Sequence, residues 1–336
     1  MTLRYTAFVL AVLVVSAAVI VRVYDVDTDG GSVAVGSEAA PRRAAPPPYA
    51  TAPAAVRVRP RFKHPPRAAL LWDVRSGRVL WSRRARKRRP VASLAKMMTA
   101  IVVDERTRWS ERVRIGRNAK AAPGSAVGLL PPGRRVRLRT LMYGLLLPSG
   151  NDAAVALAEH VGGDVRGFVE TMTARGRALG LGCTTFSSPD GYEDRGNRSC
   201  ARDLAVVARE LLRRPRLAKV ARTRYASFPS LLPHTDKVRG KTLTVWKPGR
   251  LHMASHNPLL RAGYPGTTGV KTGYTDAAGR CFVGTARRGG RHLGIVLLGS
   301  RDPGGQARRV LDQGFRALRA RSHTTAGVTL GVGRGS

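Results

Sequence analysis

Three short motifs carry residues that could do covalent chemistry. In VASLAKMMTA, Ser93 is followed three residues later by Lys96, and no other serine of the chain has a lysine at that distance. Residues three apart share one face of a helix, so the hydroxyl and the amine can be hydrogen-bonding neighbours. A lysine withdrawn from water loses its proton more readily and can then serve as base to the serine. Val91, Ala92, Met97 and Met98 around the pair are apolar, as such withdrawal requires. The plainer alternative is an N-cap serine followed by a surface lysine.

The second motif is Ser149-Gly150-Asn151, between LLLP and the helix-like DAAVALAE. Its hydroxyl can pass a proton and its amide can hold a carbonyl, or one of the two simply caps the helix. A second Ser-x-Asn, at Ser255 and Asn257, has no helix pattern behind it and ranks lower. The third motif is Lys271-Thr272-Gly273 in GTTGVKTGYTDAAGR. A glycine lets a ligand approach a strand backbone closely. Lysine and threonine beside it can bind a carboxylate while the strand edge pairs with an extended substrate.

These motifs need elements to hold them together. Short apolar runs at 69–74 and 78–81 flank Arg75-Ser76-Gly77, a hairpin signal. Helical patterns follow near 94–103, 138–147, 152–159, 165–179 and 202–212. Two apolar strands, 280–286 and 292–299, precede a last helix near 305–318. Strands open and close the domain and helices fill the middle, so the simplest packing joins both ends in one antiparallel sheet.

The ends read differently. Arg4 precedes a charge-free run from Tyr5 to Val21, the pattern of an export signal or short anchor, assigned to residues 1–24. Residues 25–66 are rich in alanine and proline and read as a disordered tether. The folded domain is assigned to 67–320 and a flexible tail to 321–336.

Charge is the compositional outlier. The formal net charge is +38, with fifty arginines and nine lysines. That excludes an acidic protein and favours contact with an anionic surface. Residues 83–89, RRARKRR, concentrate it. The run lacks interleaved aromatics, and an exported chain does not meet nucleic acid, so the anionic cell envelope is the expected partner. The three cysteines have no zinc-knuckle spacing and are read first as small buried side chains, with a Cys183–Cys200 disulfide as the alternative. His252 and His256 have the outer spacing of a zinc-peptidase motif but lack its glutamate. No metal or cofactor is expected.

Together the three motifs resemble those of the penicillin-interacting serine D-alanyl-D-alanine peptidases. VASLAKMMTA, LLLPSGNDAA, GVKTGYTDAAGRCFV, LLWDVRSGRVLWS and SSPDGY with SCARDLAVVARELL all look like the low-molecular-weight carboxypeptidases of that group. The resemblance covers about residues 68–320. It implies an α+β fold of the β-lactamase/transpeptidase type: a five-stranded antiparallel sheet flanked by helices, with a helical lobe across the cleft. It also implies removal of the terminal D-alanine from peptidoglycan stem peptides, with β-lactam antibiotics as acylating inhibitors. Ser93 would be the nucleophile and Lys96 its base, with Ser149 and Lys271 relaying a proton and Asn151 orienting the acyl part. Lys271 and Thr272 would hold the terminal carboxylate, with Gly273 beside them in the substrate-binding strand. Backbone N–H groups of Ser93 and Tyr274 would bind the oxyanion. Arg308, or else Arg301, would meet the substrate carboxylate.

Two rivals share parts of this pattern. A class A β-lactamase uses a glutamate with asparagine four residues on, and Glu193 and Asn197 have that spacing. Their surroundings look like the carboxypeptidase pattern instead. A wall-binding module would need no intact Ser-x-x-Lys, and a β-lactam sensor would be expected to carry a cytoplasmic part, for which four residues before the hydrophobic run leave no room.

Overall fold

In the computed structural model the described residues are 58–328, apart from 193–194 and 239–240. The expected signal or anchor and most of the tether lie outside them. The first elements are β1 (Ala68–Asp73), β2 (Val79–Arg83) and β3 (Arg89–Pro90), then a 3-10 turn Ala92–Ala95 that runs into α1 (Lys96–Arg106). β4 (Arg112–Arg114), α2 (Arg117–Ala121), β5 (Arg135–Arg137), α3 (Leu138–Leu146), α4 (Asn151–Gly162) and α5 (Val165–Ala178) follow. Next come β6 (Arg198–Ser199), α6 (Ala201–Leu212), α7 (Pro215–Ala221), β7 (Tyr225–Val238), β8 (Lys241–Ala254) and α8 (Pro258–Arg261). β9 (Thr267–Gly273), β10 (Arg280–Arg288), β11 (Arg291–Ser300) and α9 (Pro303–Val328) close the chain.

The main sheet has five strands in the order β2-β1-β11-β10-β9, all antiparallel. The two ends of the domain thus meet as their position in the chain predicts. All six residues of β1 are buried because both faces of the sheet are covered. Leu70, Trp72, Val283 and Val296 face the helical lobe, in one core with α1 and α6. Ala69, Leu71, Ile295 and Leu297 face α9 through Val310, Leu311 and Phe315. Gly294 accommodates the Trp72 ring, which a Cβ there would strike at 2.4 Å.

Three features depart from expectation. Val58 is buried, Phe62 packs on Trp81 and the His64 carbonyl accepts from Gln306. The folded unit therefore includes residues 58–66, where two apolar side chains stand in a proline- and arginine-rich stretch without a period. α9 runs to Val328 rather than stopping near 318, since no proline or glycine interrupts the chain between Leu318 and Gly327. β7 and β8 form a separate two-stranded ribbon of fourteen residues each. Pro229, Pro233 and Pro248 within it argue against strands in the sequence, but a ribbon whose outer edges are unpaired tolerates them.

The cysteines take the alternative reading. Cys183 and Cys200 are disulfide-bonded, with Cα atoms 5.7 Å apart, and Cys281 is buried and takes no part in that bond. The short Arg89↔Ser199 and Pro90↔Arg198 pairing and a Thr185↔Arg198 bridge close the same loop. Part of the basic run is built into this region: Arg88 donates to Thr185 Oγ1 and Arg83 to the Pro66 carbonyl.

Candidate active site

Ser93 stands in the 3-10 turn and Lys96 opens α1, a helix whose first eight residues are all buried. Ala92, just before the serine, has φ +50°, a left-handed conformation that costs about 1–2 kcal/mol and persists only where packing enforces it. The Lys96 amine is fully buried and meets three oxygens. Ser93 Oγ is at 2.9 Å, Asn151 Oδ1 at 2.6 Å and the Asp190 carbonyl at 2.7 Å. Burial lowers its pKa from 10.5 to about 7, against an opposing pull from Asp190 and Asp152.

Asn151 is the first residue of α4. Its Nδ2 donates to the Pro123 carbonyl. A carbonyl can only accept, so this bond fixes the amide with Oδ1 toward Lys96. The next residue, Asp152, binds the same approaching loop: Oδ1 accepts from the Val127 N–H and Oδ2 from the Gly128 N–H. A carboxylate in the first turn also suits the positive end of the helix.

Ser149 is buried with φ +67°, and Lys271 donates to its Oγ at 2.8 Å and to the Thr272 carbonyl at 2.8 Å. Lys271 lies on β9, the edge strand of the sheet, and is also fully buried. Burial, then the charge of Lys96, holds its pKa well below the ordinary lysine value. Gly273 brings β9 against the nucleophile turn. A Cβ there would lie 3.0 Å from the Ser93 nitrogen and 3.0 Å from the Val91 carbonyl oxygen. Tyr274 follows at the exposed lip, its hydroxyl donating to Asp276.

The structure thus brings together Ser93, Lys96, Ser149, Asn151, Lys271 and Gly273, from the helical lobe and from the sheet. Thr272 contributes its carbonyl to Lys271. Arg308 is not brought to this cluster. It is exposed on α9, which packs on the sheet face opposite the helical lobe. Arg301 is exposed beyond β11, and its carbonyl accepts from Arg280. Arg280, which opens β10 one pair beyond Cys281↔Gly273, is the arginine whose charge reaches Tyr274. Its type is one of fifty in the chain, so no signal singles it out in the sequence.

The Asp190 carbonyl is likewise invisible to motif reading. The loop carrying it is held by Asn197, whose Oδ1 accepts from the Ser187 and Ser188 N–H groups and whose Nδ2 donates to both hydroxyls. That is a loop-building position for Asn197; Glu193 lies outside the described residues. Gly191, at φ +76°, packs on Ala92 so closely that a Cβ would fall 2.1 Å from its carbonyl oxygen. His252 lies against Tyr225, and the His256 N–H donates to the Leu147 carbonyl. Among the described residues the one group with metal-ligand proximity is Cys183, Cys200 and Asp203. Its two sulfurs are bonded to each other and the carboxylate accepts from the Cys183 N–H and Thr184 Oγ1.

Known proteins share this arrangement. The D-alanyl-D-alanine carboxypeptidase profile, Peptidase S11, matches residues 54–302. The chain is 31% identical to the carboxypeptidase DacF of Bacillus subtilis, over 81% of this chain and 69% of that one. It is 36% identical to DacB2 of Mycobacterium tuberculosis, over 75% and 82%. The solved Streptomyces K15 DD-transpeptidase superposes with a TM-score of 0.68 at 28% identity, covering 77% of this chain and all of that one. A penicillin-binding protein homologue of M. tuberculosis gives 0.67 at 32%, over 77% and 94%. A serine and lysine joined across a helix turn, faced by a second serine that a lysine of the sheet edge reaches, are thus found in a chain that belongs to the D-alanyl-D-alanine carboxypeptidases of Peptidase S11.

Proposed function

We propose that this serine-type carboxypeptidase cleaves the terminal D-Ala–D-Ala bond of peptidoglycan stem peptides through an acyl-enzyme on Ser93. One observation carries the reading: the three partners of Lys96. The Asp190 carbonyl and the fixed Asn151 Oδ1 can only accept. A neutral amine has two protons, and these two oxygens take both. The lone pair then faces Ser93 Oγ–H, and Lys96 is a base aimed at the nucleophile.

Ser93 Oγ attacks the carbonyl carbon as its proton passes to Lys96. The carbonyl π pair moves to oxygen, and the Ser93 and Tyr274 N–H groups stabilise that oxyanion. Collapse breaks the C–N bond, and the proton taken up by Lys96 is relayed through Lys271 and Ser149 to the departing D-alanine amine, which leaves Lys96 neutral. Lys271 and Thr272 hold the terminal carboxylate. Asn151 orients the acyl side. Water then attacks the ester as a proton passes to Lys96; collapse breaks the C–O bond, Ser93 Oγ takes that proton back from Lys96, and the shortened peptide is freed.

Intact mass after adding benzylpenicillin, beside Ser93→Ala, tests the reading. A one-to-one adduct on Ser93, lasting many minutes and absent in the variant, supports it. Rapid conversion of the drug without a lasting adduct would make the chain a β-lactamase. A folded protein giving neither result would leave a wall-binding module. The similarity to a DD-transpeptidase favours a second reading of the deacylation step, in which an amine replaces water. Adding glycine or a stem-peptide amine to the reaction and weighing the products separates the two.

The basic surface and the N-terminal apolar run support work outside the cytoplasm, against the anionic envelope. Binding to purified cell wall should then weaken steeply as salt is raised.

A further inference from the structure

Beside the catalytic cluster stands an aromatic side chain that the mechanism leaves idle. Tyr192 lies two residues beyond the Asp190 carbonyl that holds Lys96, and the residue is 50% exposed. Its backbone is fixed, since its N–H donates to Asp190 Oδ1 at 2.9 Å, and that carboxylate is fixed by Ser188. Its ring edge rests on Gly124. A Cβ at Gly124 would lie 2.7 Å from Tyr192 Cε2 and 3.0 Å from Asn151 Nδ2. Gly124 has φ +82° and no side chain, so the ring and the Asn151 amide converge on the same bare backbone. The loop beneath them is tied down by Asn151 and Asp152.

The position decides what the ring would touch. With the leaving D-alanine at Lys271 and Thr272, the peptide crosses Ser93 toward Asn151, and its acyl part emerges beside Tyr192. We infer that Tyr192, laid on Gly124, is a specificity-determining residue that packs against the methylene chain of the stem-peptide residue preceding the two D-alanines. This rests on the acyl-enzyme reading above. A half-exposed aromatic face, held at backbone and ring edge, offers apolar area without further ordering cost. A long side chain covers that area and an alanine side chain does not.

The test uses the full domain and two tripeptides, Nα,Nε-diacetyl-L-Lys-D-Ala-D-Ala and N-acetyl-L-Ala-D-Ala-D-Ala. The readout is the ratio of their kcat/KM values. Tyr192→Ala should lower the lysyl-to-alanyl ratio by about tenfold, and Tyr192→Phe should keep it. Gly124→Ala, which pushes the ring aside without removing it, should lower the ratio in the same direction. An equal loss on both peptides, or none on either, overturns the inference. A second readout, acylation by benzylpenicillin divided by acylation by side-chain-free 6-aminopenicillanic acid, should fall in Tyr192→Ala. If the peptides are not cleaved but this second ratio falls, the subsite stands and the peptidase reading fails. If the second ratio holds, the subsite fails whatever the peptidase does.

Discussion

Asn151 reaches Lys96 with its oxygen because Pro123 holds its nitrogen. The amide is gripped from both sides, so it cannot rotate to present a donor to the amine. That grip turns a generic Ser-x-x-Lys turn into a base with a defined direction, and it suggests how to disturb the base without removing it.

Asn151→Asp places an anion 2.6 Å from the Lys96 amine. An anion favours the ammonium form and raises its pKa. The pH at which benzylpenicillin acylation reaches half its maximum should move upward, and the Pro123 contact should become repulsive. Acylation followed from pH 5.5 to 10 checks this; an unmoved profile would falsify the direct contact.

The wild-type pH profile follows from burial. Lys96 sits near 7 rather than 10.5, so acylation should rise through about pH 7 and level off above it. The same shift affects stability with a definite sign. Between about 7 and 10.5 the unfolded chain holds a proton that the folded one has released, so this group's contribution rises with pH across that window. Below about 7 both states are protonated and the full burial penalty applies. Lys96→Arg, which cannot lose its proton, should cost about 10²–10⁴-fold in acylation at every pH. Stopped-flow acylation measures both.

Ser149→Ala removes one of the two acceptors of Lys271 and the proposed proton relay. Release of D-alanine should fall by about 10²–10⁴-fold. Acylation by a β-lactam also puts a proton on the released ring nitrogen, but ring strain drives that C–N cleavage, so it should fall less. Equal losses with both would remove Ser149 from the leaving-group step.

The Cys183–Cys200 bond closes a loop of seventeen residues' separation, and loop-closure entropy for such a span is about 3 kcal/mol. Replacing both cysteines with serine should lower Tm by about 6–10 °C. Acylation at 25 °C should survive, because Asn197 and the Arg89–Ser199 pairing also hold the loop. Calorimetry beside acylation rates separates the two effects.

Arg214 links α1 to α6 by contacting Asp104, Glu105 and Glu210, three carboxylates that Arg175 shares only in part. All are mostly shielded from water, so Arg214→Ala leaves like charges facing one another and should destabilise by about 2–3 kcal/mol. Urea unfolding measures it.

The motifs were legible because their chemistry depends on residue type. Ser93 and Lys96 needed one helix turn, and Lys271 needed a strand edge, which the opening and closing strands supplied. What stayed hidden depends on backbone. The Asp190 carbonyl could belong to any residue type, and the left-handed Ser149 and Ala92 do not carry glycine's signature. The ribbon at 225–254 was obscured by prolines that forbid only interior strands. The resemblance implies an arginine just beyond the last strand without fixing its position; the helix that carries Arg308 packs on the other face of the sheet.

The Asp190 carbonyl has a consequence for inheritance. A main-chain atom is encoded by every codon, so no substitution at position 190 deletes the oxygen that steadies Lys96. Genetic change reaches that oxygen only through shape, and its narrowest gate is Gly191, where any side chain would drive into Ala92. A drug-escape lineage that sought to loosen the base would therefore meet its steepest cost one codon beyond the contact, at a residue that makes no bond to Lys96.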